Sequence, residues 1–512
     1  MSEMNSSVRM QSPNAEAARA GQMLNTAHWA ASRYSKMDAA AVQKIAKTVA
    51  DAAFTKSKEY AEWAVKESGY GRIEHKIIKN EGCSKGIFDT YGHIDFVSPR
   101  IDAHSKVVEL PRPAGVVFAL TPVTNPVATI YFKTLLALMT RNAIIISPHP
   151  GAKEVCTDAV NMMAAAAVSA GAPRGLIQVV ERPSIPLIDT FMTHELVDLI
   201  VATGGPAVVK AAYRSGHPAI GVGSGNAPVL VDDTCDLRKA AKYIVESKGF
   251  DNSILCSNES TVLAYEGIAD KLLQQLKMAK AHICSPSEVD AVRNLLFTDN
   301  GFNLDMIGKD ASVIANAAGF RASGAEILVT PIGLIQPEEK LIREKLAPVL
   351  AFGRVAGLTD GIAAARSVQR HSGKGHSAVV HSNDERTILA YADAVPALRT
   401  CVNVGCSLGA AGFETNIGPS MTIGTGFIGG SSVGANLKPE NFLNMSRIAY
   451  NKSEAEAFGN FEGLSRKSIQ PPQSEFLNFP VQHGNSQPAP SDAQSNEIRQ
   501  IIREELKAIL AA

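Results

Sequence analysis

The sequence has no surplus of charge of either sign and no long apolar run. Its 512 residues carry 50 Lys and Arg against 50 Asp and Glu, without a long basic stretch. Because a nucleic-acid partner needs clustered Lys and Arg to neutralise phosphates, we expect none. No segment approaches the roughly 20 apolar residues of a membrane helix, and the first residues lack the apolar core of a secretory signal. These absences predict a cytoplasmic protein with no nucleic-acid or membrane partner.

Cysteine is sparse, odd in number and scattered. None of the seven cysteines forms a CxxC pair. Such a set argues against a disulfide framework and against a zinc site, so we expect free thiols in a reducing compartment and no bound metal. The chain is nevertheless long enough to bury a large core in two or three domains.

What is present is an alternation of helical and strand-like stretches. Residues 14–95 are alanine-rich with helical apolar spacing, and short apolar runs separated by helical stretches follow from about residue 107. This pattern predicts an α/β class with a Rossmann-type cofactor domain and a second α/β catalytic domain. The predicted divisions are 1–249 for the N-terminal helices and the cofactor domain, 250–430 for the catalytic domain, 431–452 for a short tail, 453–494 for a flexible linker and 495–512 for an amphipathic helix.

The last two of these segments are predicted to be a flexible linker and the helix that follows it. Residues 453–494 are rich in Pro, Gln and Ser and have no periodicity. The apolar residues of 495–512 follow one helical stripe: Ile498, Ile501, Ile502, Leu506, Ile509 and Leu510. So short a helix is marginal alone and needs a partner surface. Its acidic and basic residues balance, which argues against a membrane surface.

Cys256 is the first candidate for chemistry. Free cysteine is commonly a buried filler, but this one lies in FDNSILCSNES, among small polar residues and between the two α/β units, where ligand clefts form. A thiolate that attacks a carbonyl needs donors for the developing oxyanion. Asn125, in TPVTNP at a strand end, could supply one together with the Cys256 N–H. Helix capping by Thr124 or Asn125 explains that motif equally well.

Two glycine turns suggest contact with a ligand. ATGG, at 202–205, links a predicted strand to a helix and leaves N–H groups free for a phosphate, although an ordinary connection explains it as well. GVGSGNAP, at 221–228, would let the backbone approach a flat ligand closely. Neither turn is specific by itself.

Taken in order, the motifs TPVTNP, SPHP, TGG, GSGNAP, FDNSILCSNES and REKLAPVL resemble the aldehyde dehydrogenase superfamily over about residues 15–452. The resemblance implies that family's fold, with 431–452 as an oligomerisation tail in a homodimer or tetramer. It implies that Cys256 is the nucleophile and Asn125 the oxyanion donor. It places the NAD site at Thr121, Pro122, Ser147, His149, Thr203, Gly204, Gly205, Gly223 and Glu344. Taken alone, Glu344 is more typical of a solvated surface charge.

The departures from the general family are informative. Hydrolytic members carry a glutamate that activates water, but AIGVGSGNAP has no acid around Val222. Water without a base is a poor nucleophile, whereas a thiol attacks as a reactive thiolate. The sequence therefore resembles the branch that transfers the acyl group to coenzyme A, similar to the aldehyde dehydrogenase half of bifunctional aldehyde–alcohol dehydrogenases. Ser147 replaces a common ribose-binding lysine, and His149 or Lys153 could hold a 2′-phosphate, which leaves NAD and NADP both open.

The resemblance thus implies reversible oxidation of a short aldehyde to an acyl-CoA, through a thioester on Cys256. The aldehyde stays open among acetaldehyde, propionaldehyde and sulfoacetaldehyde. His376 could line the entrance or position coenzyme A, and a satisfied histidine at a strand start explains it at least as well. Glu259 is not expected to be the base. Two alternatives are a hydrolytic aldehyde dehydrogenase and a catalytically silent scaffold or cargo protein.

The C-terminal helix is similar to the encapsulation peptides of enzymes packaged in bacterial microcompartments. The similarity implies a shell protein as partner and a location inside such a compartment, by a helix-in-groove contact. Docking on its own subunit, or an oligomer-forming arm, are the alternatives.

Overall fold

The structure is a computed structural model that describes residues 13–299 and 301–461. The predicted C-terminal helix, 495–512, and all of the predicted linker beyond residue 461 lie outside the described residues. Within the described ranges, none of the helices has both the length and the apolar character that crossing a membrane requires.

Five helices form the N-terminal part of the described chain, as the alanine-rich spacing predicts. They are α1 (Pro13–Tyr34), α2 (Ala39–Thr55), α3 (Ser57–Ser68), α4 (Ile73–Glu81) and α5 (Ile87–Tyr91). Val42, Ile45 and Val49 share one face of α2 and are buried in the same core as the first sheet. These amphipathic helices therefore help to cover that sheet.

A parallel sheet of five strands comes next. After β1 (Arg100–Asp102) and β2 (Val107–Pro113), its strands are β3 (Val116–Leu120), β4 (Ala143–Ser147), β5 (Ile177–Val179), β6 (Leu199–Thr203) and β7 (Ala219–Val222), in the spatial order β5-β4-β3-β6-β7. Their connections contain α6 (Pro126–Met139), α7 (Lys153–Ser169), α8 (Ile185–Thr193) and α9 (Pro206–Arg214). Every residue of β3 and β4 is buried. The strand order reverses between β3 and β6, where ligands bind in sheets of this type.

A second parallel sheet has seven strands, in the order β10-β13-β14-β9-β8-β15-β16. Its strands are β8 (Ala227–Val231), β9 (Glu259–Tyr265), β10 (Ala281–Ile283), β13 (Ile327–Pro331), β14 (Val349–Val355), β15 (Ser377–His381) and β16 (Arg399–Val402). A two-stranded ribbon, β11 (Phe297–Thr298) and β12 (Gly301–Phe302), lies outside it. The helices of this part are α10 (Leu237–Gly249), α11 (Glu266–Met278), α12 (Pro286–Leu296), α13 (Ala311–Ala317), α14 (Leu358–Val368), α15 (Glu385–Ala394) and α16 (Cys406–Ala410).

The last strand, β17 (Leu443–Ala449), returns to the N-terminal half. It pairs antiparallel with β2, which also pairs with β1, in a separate sheet of three strands. The predicted α/β class with a Rossmann-type sheet and a second α/β unit is confirmed. The division at 249/250 stays a prediction; strand β8, before that point, already belongs to the seven-stranded sheet.

Candidate active site

A cavity of about 430 Å³ lies between the carboxyl ends of β3 and β6 and the loops that enter β9 and β14. The structure brings all eleven residues that the sequence proposes to its wall: Thr121, Pro122, Asn125, Ser147, His149, Thr203, Gly204, Gly205, Gly223, Cys256 and Glu344. The parallel sheet explains the convergence, because its strands end at one edge. The role of each residue remains a prediction.

The loop that carries Cys256 has an unusual backbone. Asp251, Asn252 and Ser253 have φ angles of 48°, 51° and 65°, a left-handed region that costs non-glycine residues about 1–2 kcal/mol each. Buried contacts hold it in place; for example, Asn252 Nδ2 donates to Gly308 O at 2.9 Å. Such a conformation persists only where the surroundings determine it, and it is commonly found at functional sites.

The GSGNAP motif packs directly on this loop. An added Cβ at Gly225 would lie 1.6 Å from the carbonyl oxygen of Cys256. Only glycine allows that approach. The second glycine turn thus supports the backbone of the candidate nucleophile from the neighbouring strand connection.

His376 is the functional residue that sequence reasoning left undecided. It immediately precedes β15 and is fully buried, and its Nε2 lies 3.1 Å from Cys256 Sγ. Its Nδ1 lies 2.9 Å from Ser377 Oγ, and Arg399 donates to its carbonyl oxygen at 3.0 Å. If Nδ1–H donates to Ser377, Nε2 is left to accept the thiol proton.

The electrostatics of this pair favour two neutral partners. Burial, followed by the nearby Glu344 carboxylate, raises the pKa of the Cys256 thiol to about 12. Burial, followed by the Arg399 charge, lowers the pKa of His376 to about 3. Because the thiol pKa lies above the imidazole pKa, the resting pair is thiol and imidazole rather than thiolate and imidazolium. An attack by this sulfur would therefore require its proton to move to Nε2.

Asn125 begins α6, but its side chain makes no capping hydrogen bond. Its Nδ2 donates to Thr124 Oγ1 at 3.2 Å, and its Oδ1 accepts from Lys79 Nζ at 2.5 Å. Asn125 lines the cavity, and one N–H of its amide group has no acceptor in these contacts and is left to donate to a ligand. This arrangement suits a donor to an oxyanion.

The other end of the cavity fits a nucleotide. Gly205 is the N-cap of α9, so free N–H groups meet the cavity at a helix N-terminus. Its apolar wall is formed by Ile188, Met192, Val208 and Ala211. Thr121 Oγ1 and Ser147 Oγ are buried there and have no hydrogen-bond partner among the described residues. Such unsatisfied hydroxyls suit the hydroxyls of a bound ribose.

Glu344 points inward, contrary to the surface charge that its motif suggests in isolation. Its Oε1 accepts from Gly225 N at 3.1 Å, and burial raises its pKa to about 7. It carries the only carboxylate among the described residues on the cavity wall. Glu259 is not among the residues that line the cavity, and its carboxylate accepts from Ser247 Oγ at 2.6 Å and from Cys406 N at 2.7 Å.

Curated relatives resemble the chain over most of its length. It is 33% identical over 423 residues to the bifunctional aldehyde-alcohol dehydrogenase AdhE of Escherichia coli, which covers 81% of this chain and 48% of the relative. The chain thus spans about half the length of the aldehyde-alcohol dehydrogenases that it matches. It is 34% identical over 423 residues to a succinate-semialdehyde dehydrogenase (acetylating) of Clostridium kluyveri, covering 81% of this chain and 92% of the relative.

Solved structures of aldehyde dehydrogenases also resemble this chain. An acetylating aldehyde dehydrogenase from Geobacillus thermoglucosidasius superposes with a TM-score of 0.85 at 34% identity, covering 88% of this chain and 100% of that one. A propionaldehyde dehydrogenase from the fucose utilisation microcompartment of Clostridium phytofermentans gives 0.78 at 29%, covering 85% and 98%. A Rhodopseudomonas palustris propionaldehyde dehydrogenase with bound propionyl-CoA gives 0.77 at 28%, covering 84% and 94%.

The family model described as the aldehyde dehydrogenase family matches residues 1–415. The match includes every residue that the sequence proposes for the site. The resemblance inferred from the motifs is confirmed, and the chain belongs to the aldehyde dehydrogenase family.

Proposed function

We propose that the protein oxidises a short aldehyde to an acyl-CoA, with Cys256 as the acyl carrier and NAD(P)+ as the hydride acceptor. One observation carries the proposal: the neutral His376 lies 3.1 Å from the Cys256 sulfur, in a cavity whose described wall has no carboxylate besides Glu344. The acetylating relatives and the structural neighbour with bound propionyl-CoA support the same reaction.

The first half-reaction forms the thioester. His376 Nε2 takes the Cys256 proton while the sulfur bonds to the aldehyde carbon, and the Asn125 amide and the Cys256 N–H stabilise the oxyanion. The bound nicotinamide supplies the hydride acceptor when the tetrahedral adduct collapses. Cys256 is left as a thioester, and the hydride has left the former aldehyde carbon.

The second half-reaction decides the product. Hydrolysis would need a base that holds a water against the thioester. The described cavity wall offers no carboxylate apart from Glu344, which is bonded to Gly225 N, and His376 Nε2 already carries the Cys256 proton from the first half-reaction. A thiol needs less assistance because its thiolate is intrinsically nucleophilic. The coenzyme A thiol therefore loses its proton to solvent, and its thiolate displaces Cys256, whose departing sulfur takes back the proton held on His376 Nε2. Since one thioester replaces another, the sequence is reversible.

The product assay tests this function. Without coenzyme A, protein given propionaldehyde and NAD+ is expected to release one NADH per Cys256 and then turn over about 10²-fold more slowly than with coenzyme A, because the acyl-enzyme lacks a base-activated water. Absorbance at the NADH band and chromatography of the products measure both phases. Desulfo-coenzyme A, which lacks the thiol, is the matched control and should not restore turnover. Equal turnover without coenzyme A, with free acid as product, would contradict the proposal.

We further propose that the protein is cargo of a bacterial microcompartment, with residues 495–512 as the docking helix. The apolar stripe of that segment and the microcompartment neighbour support the idea. Residues 490–512 fused to a fluorescent protein should form foci in cells that express a shell. A fusion with Ile502→Glu and Leu506→Glu interrupts the stripe and should stay diffuse. Diffuse fluorescence from the unaltered segment would contradict the proposal.

A further inference from the structure

A buried charge cluster joins helix α4 to the side chain of Asn125. Lys79 Nζ donates to Asn125 Oδ1 at 2.5 Å and also to Asp251 Oδ2. Lys76 Nζ donates to the same Asp251 oxygen and to Thr124 O, both at 3.2 Å. All four side chains that take part are nine-tenths or more buried: Lys76, Lys79, Asn125 and Asp251. Two ammonium groups therefore face one carboxylate directly beside the candidate oxyanion donor.

The carboxylate of Asp251 is held from several directions. Arg72 N donates to its Oδ1 at 2.7 Å, and the Asp251 N–H donates to His75 Nδ1 at 2.8 Å. Gly71, with φ of +78°, leaves space for it, since an added Cβ there would lie 2.1 Å from Asp251 Oδ1. The start of α4 thus clamps the left-handed segment that leads to Cys256.

The contacts in the cluster shift the pKa of two of its groups. Burial alone would raise the pKa of Asp251, but the Lys79 and Lys76 ammonium groups outweigh it and lower that pKa. Burial, followed by the Lys79 charge, lowers the pKa of Lys76 to about 8. Asp251 is accordingly an ionised carboxylate that holds both lysine side chains beside Asn125.

We propose that Lys79 is a positioning residue for the oxyanion donor, an inference that rests on the proposed function. An ammonium group has three donors and no acceptor, so it can bind only the Oδ1 side of the Asn125 amide. This contact fixes the flip of the amide with Nδ2 towards the cavity and polarises the N–H bond. Without it, Asn125 can turn its oxygen to the cavity, where that oxygen repels the developing oxyanion. Through Asp251, the same lysine ties the amide to the loop of Cys256.

A double-mutant cycle separates this role from a merely structural one. Lys79→Met is expected to lower the rate constant of the NADH burst about tenfold to a hundredfold, less than the 10²–10³-fold of a deleted oxyanion donor. In an Asn125→Ala background, the further loss from Lys79→Met should be several-fold smaller and no larger than that from Lys76→Met, because there is no amide left to orient and only the Asp251 contact is lost. If Lys79→Met does not yield folded protein, Lys79→Gln carries the same cycle.

Lys76→Met is the matched control. It removes a positive charge beside the same Asp251 carboxylate, but Lys76 does not contact the Asn125 side chain. The decrease in the burst rate constant should therefore be equal in both backgrounds. An equal loss for the Lys79 variant in both backgrounds would overturn the proposal. The burst needs only aldehyde and NAD+, so it tests Lys79 even if coenzyme A is not the acceptor. Failure of the proposed function would appear separately, because the unaltered enzyme would then turn over rapidly without coenzyme A.

Discussion

Cys256→Ala is expected to lower aldehyde-dependent NADH formation by about 10⁴-fold or more, because it removes the atom that forms the covalent intermediate. Neither a hemithioacetal nor a thioester can form without the sulfur, and hydride loss from a free aldehyde hydrate lacks the pre-organised cavity contacts. Steady-state NADH absorbance with saturating aldehyde and coenzyme A measures the loss. Circular dichroism and thermal unfolding should be nearly unchanged, since the side chain is small and lies at a cavity wall.

Cys235→Ala is the matched control for that result. Burial raises the pKa of the Cys235 thiol to about 12 as well, but its Sγ contacts Asp232 O rather than an imidazole. Its replacement is expected to leave the turnover rate within about twofold, the usual range for a small change away from a site. Turnover by Cys256→Ala within tenfold of the unaltered protein would exclude the covalent mechanism. Inactivity of both the unaltered protein and its variants would favour the silent scaffold.

His376→Ala is expected to lower kcat/KM for the aldehyde about 10²-fold or more at pH 7, the contribution typical of a general base. The reason is the neutral resting pair: with a thiol pKa of about 12 and an imidazole pKa of about 3, almost no thiolate exists without a proton acceptor. As the pH rises, hydroxide replaces the missing base, so the deficit should shrink between pH 7 and pH 10. Stopped-flow NADH bursts across that range measure it.

The sign of the pH dependence discriminates between two states of the pair. In the unaltered protein, alkylation of Cys256 by iodoacetamide should accelerate steadily up to pH 10, because the thiol pKa is raised. A thiolate–imidazolium pair would instead give a plateau from about pH 7, and that plateau would contradict the assignment of a neutral pair.

His381→Ala is the matched control for His376→Ala. This buried imidazole ends the same strand β15, and burial lowers its pKa to about 4. Its replacement measures the effect of lost packing alone.

The sequence predicts well which strand ends line the cavity, and the reason is the geometry of a parallel sheet. TPVTNP, SPHP and TGG each follow a short apolar strand, and parallel strands bring such endings to one edge. Local pattern and tertiary position therefore coincide at Asn125, Ser147 and Gly204. The same reasoning does not extend to VVELPRPAGVVFAL. This stretch has strand-like character throughout, but it divides between β2 and β3 in different sheets. The partners of β2 are β1 and the distant β17, and the local pattern does not show this pairing.

The contacts that sequence reasoning did not predict join residues far apart along the chain. His376 lies 120 positions from Cys256, and nothing near HSGKGHSAVV announces a thiol partner. The start of a buried strand beside two glycines is its only local signal. Lys79 reads as an ordinary charge on an amphipathic helix. Its partner Asp251 lies in a segment of positive φ angles that no pattern of non-glycine residues predicts. Taken alone, Glu344 suggests a surface charge, because charge alone does not show whether a loop side chain points to solvent or into a cavity.

The fate of the thioester on Cys256 is the central claim, and intact-protein mass spectrometry tests it directly. Protein mixed with propionaldehyde and NAD+ should gain the mass of one propionyl group, absent from Cys256→Ala, and should keep it over many turnover times in the absence of coenzyme A. Addition of coenzyme A should remove that mass within one turnover and yield an equal amount of propionyl-CoA. Loss of the propionyl group as free propionate, equally fast without coenzyme A, would contradict the account.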